Sequence, residues 1–283
     1  PGGGGPGGWG GNTGTTTTDD SDSFTSPCIK TDGFVTISGG TLDFTTTGIK
    51  GFGIKAYGLI TMTDGTLMVH TTGQGAEGIE SKTEIQLQGG RVLSVSQTED
   101  AINCAGKIIC SGAWVYAVSN GNDAIDSNYG RSGAITISDG VVVAISSAGS
   151  PEEGLDCDNN SYITIQGGYV FSGGGAQGGG GSASVGSASQ AYCFTGSYAI
   201  NNGTYYSVKN ASGDVLFSIK ALTSLTSSKN SLSLISAPAL TKNGTNSIYS
   251  GSSAPTSTTD AWDGYIYLGG TSGTTSVKTF TGK

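Results

Sequence analysis

Between Ala124 and Val143 the chain reads Ala124-Ile125-Asp126, then Ile135-Thr136-Ile137-Ser138-Asp139-Gly140, then Val141-Val142-Val143. Each of these three pieces recurs along the sequence. The first, a small residue followed by an aliphatic and a polar one, returns as Cys28-Ile29-Lys30, Gly53-Ile54-Lys55, Gly78-Ile79-Glu80, Ala101-Ile102-Asn103 and Gly154-Leu155-Asp156. From Ile29 to Leu155 the aliphatic positions stand 25, 25, 23, 23 and 30 residues apart. The second returns as Val35-Thr-Ile37-Ser-Gly-Gly40, Ile60-Thr-Met62-Thr-Asp-Gly65, Ile85-Gln-Leu87-Gln-Gly-Gly90 and Ile163-Thr-Ile165-Gln-Gly-Gly168. Apolar residues at every second position mark strands buried on one face, and the glycines mark sharp turns. The third is a short apolar run after the turn, as in Leu67-Met68-Val69 and Trp114-Val115-Tyr116-Ala117-Val118.

Three strands and three turns per repeat make one coil of a solenoid, in which each coil buries its apolar face against its neighbours. An antiparallel sandwich also has many short strands, but it does not predict that equivalent residues recur coil after coil. The expected fold is therefore all-β: a right-handed parallel β-helix of about six to seven coils, right-handedness being the default for parallel crossovers. Residues 1–26 read as a Gly/Thr-rich arm and 27–190 as the β-helix, with a Gly/Ser-rich loop at 172–190. Residues 191–283, with runs such as Val215-Leu-Phe-Ser-Ile219, read as an antiparallel β region capping the solenoid, whose open end would otherwise expose core and strand edges.

Glycine supplies 50 of 283 residues and only 12% are charged, a profile of repetitive folds and not of highly charged disordered tracts. With 21 acidic against 13 basic side chains the net charge is -8, which opposes binding to nucleic acid or anionic membranes. No apolar run is long enough to span a membrane and no basic-then-apolar leader opens the sequence, so it reads as a mature soluble product. Abundant Thr, Ser, Gly and Asn points to a secreted, extracellular or cell-surface protein.

Coiling turns scattered acids into columns. One residue after the aliphatic position the column is Lys30, Lys55, Glu80, Asn103, Asp126, Asp156; two before it, the column is Pro27, Phe52, Glu77, Asp100, Asp123, Glu153. With Glu99, Glu152 and Asp158, ten carboxylates gather around four coils. Like charges about 5 Å apart repel by on the order of 1 kcal/mol even in water. A ladder of hard oxygen ligands at that spacing suits Ca²⁺. A solvated charged face is the competing explanation, but scattered surface charge has no reason to hold register over successive coils.

His70 is the only histidine, so Ser-His-Asp and Cys-His arrangements have one candidate base with nothing beside it in sequence. It reads as a polar residue at a strand end. Of the five cysteines, Cys104, Cys110 and Cys157 read as small buried hydrophobes, while pairing of Cys28 with Cys193 is left open. Four Asn-x-Ser/Thr triplets, at Asn159, Asn202, Asn210 and Asn243, match the glycosylation acceptor pattern. Trp9, Trp114 and Trp262 read either as packing residues or as sugar-stacking ones.

The segments Gly53-Ile-Lys-Ala56, Ala76-Glu-Gly-Ile-Glu-Ser-Lys82, Glu99-Asp-Ala-Ile-Asn103, Gly121-Asn-Asp-Ala-Ile-Asp-Ser-Asn128 and Pro151-Glu-Glu-Gly-Leu-Asp-Cys-Asp-Asn-Asn160 resemble a family of bacterial secreted carbohydrate-binding β-helix proteins. The likeness continues through Ser233-Leu-Ile-Ser-Ala-Pro238 and Tyr265 to Gly270. It implies a solenoid similar to calcium-dependent pectate lyases that recognises acidic or cellulosic polysaccharide. It assigns calcium to Glu77, Glu80, Asp100, Asp123, Asp126, Glu153 and Asp156; Glu99, Glu152 and Asp158, read from the columns, are additional candidates. Lys55, Lys82, Asn103 and Asn128 are the expected polysaccharide contacts.

Three functions follow from these residues. The first is a noncatalytic, calcium-bridged binder of acidic polysaccharide. The second is a self-assembling subunit of an extracellular filament or surface layer, with the Gly-rich arm engaging a neighbouring copy. The third is a polysaccharide lyase using Lys82 or Lys55 as the base.

Overall fold

The computed structural model describes residues 26–175 and 184–283. Apart from Ser26 the N-terminal arm lies outside the described residues, as do Trp9 and the middle of the 172–190 tract. The fold is a β-solenoid followed by antiparallel strands.

Six short strands, Ile29–Thr31, Ile54–Ala56, Ile79–Ser81, Ile102–Cys104, Ile125–Ser127 and Leu155–Asp156, stack in sequence order as a narrow parallel sheet. Their register pairs the repeat residues one to one: Ile29 with Ile54, Ile54 with Ile79, Ile79 with Ile102, Ile102 with Ile125 and Ile125 with Leu155. The second and third pieces of the repeat form a broad sheet of longer strands. In four coils these pieces are one bent strand each: Val35–Thr46, Ile60–Thr71, Lys107–Ser119 and Ile135–Ser146. Residues such as Gly65 (φ 96°) and Gly140 (φ 82°) turn the chain in a left-handed conformation that other residues rarely adopt. The ladder shifts register there and resumes.

Inside the coils lies one aliphatic core, with Ile54, Val69, Ile85, Val92, Ile102 and Ile165 all fully or almost fully buried. Some positions leave no room for a larger residue. A methyl group on Gly78 would fall on Ser94 Oγ and on the Ala101 carbonyl, which already share a 2.6 Å hydrogen bond. That is why the repeat's small residue is glycine there, although Ala101 and Ala124 fill the same column one and two coils on.

A second core lies outside the solenoid. On Lys107–Ser119, Val115 and Ala117 point inward, while Tyr116 and Val118 point outward and are equally buried; on Ile135–Ser146 the same holds for Val142 against Val141 and Val143. The outward set is covered by a six-stranded antiparallel sheet. Its order is Thr258–Trp262, Ile266–Gly269, Val215–Lys220, Tyr205–Lys209, Thr245–Gly251, Thr275–Thr281. Phe217 meets Phe171 and Tyr169 edge to face, and Tyr116 donates to the Lys220 carbonyl at 2.7 Å. Two further strands, Tyr192–Phe194 and Leu234–Ser236, continue the broad sheet at its C-terminal edge in antiparallel sense. The C-terminal residues thus extend one end of the solenoid and also ride along the flank of its later coils.

The first coil is covered by neither. Ile29, Val35, Leu42 and Phe44 are only partly buried where their counterparts in later coils are sealed. Phe34, Ile49 and Tyr57, which are 74%, 57% and 45% exposed, all lie on the first two coils.

Candidate functional site

The outward face of the narrow sheet carries the charged columns. Side by side in register stand Lys30, Lys55, Glu80, Asn103, Asp126 and Asp156. The turn before each strand adds Glu77, Asp100, Asp123 and Glu153, the last three buried. These turns are fixed from beneath by a column of buried hydroxyls at the ends of the broad strands: Thr71, Ser96, Ser119 and Ser146. Ser119 shows the pattern. Its Oγ donates to the Glu99 carbonyl at 2.8 Å and accepts from the amides of Gly121 and Asn122, which closes the turn leading to Asp123. Ser96 does the same for the turn before Asp100, accepting from Glu99 N at 3.1 Å and donating to the Ala76 carbonyl at 3.0 Å.

The acids are linked from coil to coil. Asp100 Oδ1 accepts from Asp123 N at 3.0 Å, and Asp123 Oδ1 accepts from Glu153 N. Asn103 Nδ2 donates to Asp100 Oδ2 at 2.6 Å and to Asp126 Oδ2 at 3.3 Å, and Asn128 Nδ2 donates to the same Asp126 oxygen at 2.6 Å. Asp156 accepts from Asp158 N at 3.1 Å, and Glu99 accepts from Asn122 Nδ2 at 3.4 Å. Glu80 is different. Lys55 Nζ lies 2.9 Å from its Oε2 and Lys82 Nζ contacts its Oε1, so this buried carboxylate is already matched by two cations. Next to it, Glu77 Oε2 is buried with no hydrogen-bond partner among the described residues.

Burial and crowding hold Glu77, Asp100, Asp123, Asp126 and Glu152 toward their protonated forms. Desolvation, reinforced by Glu80 and Asp100, pushes Glu77 up to about 9 against the pull of Lys82 and Lys55. Asp123 rises to about 9 through burial, which outweighs the Glu153 amide, with Asp156, Asp100 and Asp126 adding to it. Asp126 rises to about 8 through burial and then the charges of Asp100 and Asp156. Asp100 rises only to about 6, because its bonds from Asn103 and the Asp123 amide offset part of its burial. Glu152, at the rim, is raised by burial and by Asp156 and Glu99.

The lysine end of the face is a cleft of about 520 Å³ lined by Lys30, Lys50, Lys55, Tyr57, Glu77 and Glu99, among others. The ring of Phe52 is buried beneath Lys55, whose Nζ sits 4.2 Å from its centroid, and Tyr57 is open to solvent. Lys50 and Tyr57 fall outside the repeating columns, and a reading by columns gives them no role. The hydroxyl column was legible only as Ser96 and Ser119, each four residues ahead of an Asp.

The remaining candidates lie elsewhere. His70 stands on the broad sheet between Thr45 and Val95, on a different sheet from the acids. All five cysteines are free, Cys28 exposed and Cys193 buried. Burial pushes the thiol of Cys104 up to about 11 and those of Cys110 and Cys157 up to about 12, as expected of inert packing residues. Among the described residues no three His, Cys, Asp or Glu side chains already converge as a metal group, and no helix is long and apolar enough to cross a membrane.

Residues 10–124 match the family model described as carbohydrate-binding domain-containing protein. The matched span is less than half of the chain and takes in the lysine–tyrosine cleft and the first part of the acidic ladder. No curated protein and no solved structure matched. The family match and the solenoid together support a carbohydrate-binding β-helix protein.

Proposed function

We propose that this is an extracellular, noncatalytic protein that binds acidic polysaccharide along the narrow-sheet face with calcium as a bridge. The observation that carries it is the continuity of two opposite chemistries on one face. A cleft of lysines with an open tyrosine ring runs directly into a ladder of buried and half-buried carboxylates. The lysines attract a polyuronate and Tyr57 offers a stacking surface. Once ionised, these acids would repel the same polymer, and a divalent cation that displaces their protons removes that conflict.

The donor chemistry fits calcium. The ladder offers hard oxygens, several of its acids have raised proton affinities that a cation would relieve, and Glu77 Oε2 has no hydrogen-bond partner among the described residues. The carboxylates are strung one per coil instead of gathered. A bound ion would therefore draw on neighbouring coils, Asp100, Asp123 and Asp126 first, and complete its six to eight oxygens from water and the sugar acid. Glu80 serves the cleft as the counter-ion of Lys55 and Lys82.

Titration calorimetry with polygalacturonate tests this reading. Binding is expected to weaken at least about tenfold, some 1.4 kcal/mol, when calcium is replaced by EGTA, and Lys30→Glu should weaken what remains. Equal affinity with and without calcium would exclude the bridge. A lyase with Lys82 as its base is disfavoured by that lysine itself. Burial lowers the proton affinity of Lys82, but its bond to Glu80 and the Glu80 charge outweigh that and leave it raised, the opposite of what a general base needs.

Self-association is a second role, favoured by the first coil, where Phe34 and Ile49 are exposed beside a strand edge that has no partner among the described residues. Sedimentation at rising protein concentration should show association that Phe34→Ser with Ile49→Ser abolishes. Monomers at every concentration would dismiss it.

A further inference from the structure

A second cleft, of about 390 Å³, opens on another side of the molecule. It lies where the turns of the broad sheet meet the edge strand Thr258–Trp262 of the antiparallel sheet. Its walls include Trp114, Arg91, Asp64 and Asp260, with Thr66 and Gly90 between them. We propose that this cleft is a second carbohydrate site, specific for neutral pyranoses.

Stacking explains how these residues meet. Thr66, Arg91, Trp114, Val141 and Tyr169 form one outward-facing column on successive coils. Val141 is sealed under the antiparallel sheet and Tyr169 packs on Phe217, whereas Trp114 and Arg91 stand at the margin where that cover ends. The indole is half-buried and faces the cleft, and Arg91 bridges the two parts of the molecule by donating to the Ala261 carbonyl at 3.2 Å. Each carboxylate commits one oxygen to the amide that follows it, Asp64 to Gly65 at 2.7 Å and Asp260 to Ala261 at 2.8 Å. That fixes the side chains and turns their second oxygens into acceptors of set direction.

An indole face takes the flat C–H face of a pyranose, and charged acceptors and a guanidinium take the hydroxyls at its rim. Two carboxylates against one guanidinium disfavour a sugar acid, the reverse of the preference at the lysine cleft. The volume falls within the range of small-molecule pockets, about 300–1,000 Å³. No residue is shared with the ladder, so this site stands or falls independently of the calcium reading.

The test is calorimetry and tryptophan fluorescence on the whole chain with cellohexaose, xylohexaose and mannohexaose as probes, in EGTA. Saturable binding of at least one is expected, with Trp114→Ala and Asp260→Asn each weakening it at least tenfold, and Asp123→Asn with Asp126→Asn leaving it unchanged. Asp260 is exposed, so its variant keeps the fold even if Trp114→Ala loosens the sheet. Absence of saturable binding by all three probes, full affinity in Asp260→Asn, or loss in the ladder variant instead would overturn the proposal.

Discussion

In EGTA, the protein's melting temperature is expected to fall as the pH is raised from about 5 to about 9, and calcium is expected to remove most of that slope. The sign follows from the direction of the shifts. Asp100, Asp126, Asp123 and Glu77 have folded-state values of about 6, 8, 9 and 9, above their ordinary values of 3.8 for Asp and 4.5 for Glu. The folded state therefore holds protons that the unfolded chain has released. Their contribution to stability is complete below the unfolded value and is lost as the pH climbs through the folded ones. On the proposed calcium reading a divalent cation would take the place of those protons, so stability in calcium should stay nearly level up to pH 9 and calcium uptake should release protons. Replacing Asp123 and Asp126 by Asn removes charge that burial disfavours. At pH 8 in EGTA this should stabilise by on the order of 2 kcal/mol, or about 3–4 °C in a chain of this length, and it should abolish the response to calcium. Differential scanning calorimetry across that pH range decides it: a melting temperature that rises with pH in EGTA would show that the ladder is not held protonated.

The second large effect concerns Tyr116. Its ring is fully buried between the solenoid and the antiparallel sheet, and its hydroxyl donates to Lys220. Tyr116→Ala should cost about 3–5 kcal/mol for the lost burial and the cavity together, and Tyr116→Phe about 1 kcal/mol for the lost hydrogen bond. Because the damage falls on the seam, calorimetry of the alanine variant should resolve two transitions, the antiparallel sheet melting before the coils. A single transition at the wild-type temperature would mean that the sheet is held mainly elsewhere.

The solenoid was legible because its signal is repetition: Ile54, Ile79, Ile102 and Ile125 stand at coil spacing in the sequence and in register in the fold. The acidic columns were legible for the same reason, since stacking translates sequence period directly into distance. What the columns could not convey is the fate of each acid. Glu80 and Asp126 occupy one column, yet Glu80 is neutralised by lysines from the preceding coil and from its own, Lys55 and Lys82, whereas Asp126 faces Asn103 and Asp156. The flank was half-legible. Val141-Val142-Val143 and Trp114 to Val118 are unbroken apolar runs, the mark of strands buried on both faces, while Thr41, Asp43 and Thr45 on the first coil alternate polar with Leu42 and Phe44. That contrast locates where cover begins, but pairings such as Phe217 with Phe171 join parts of the chain that share no period.

The order of charge along the narrow face has a directional meaning. Its cations come first and its anions afterwards, one rung at a time, so the surface has a head and a tail. A polysaccharide also has two unlike ends, and a strand laid along this face would have every sugar ring pointing the same way. A sheath of such molecules along one glycan would then share a common heading, set by nothing more than the rung at which lysine gives way to glutamate.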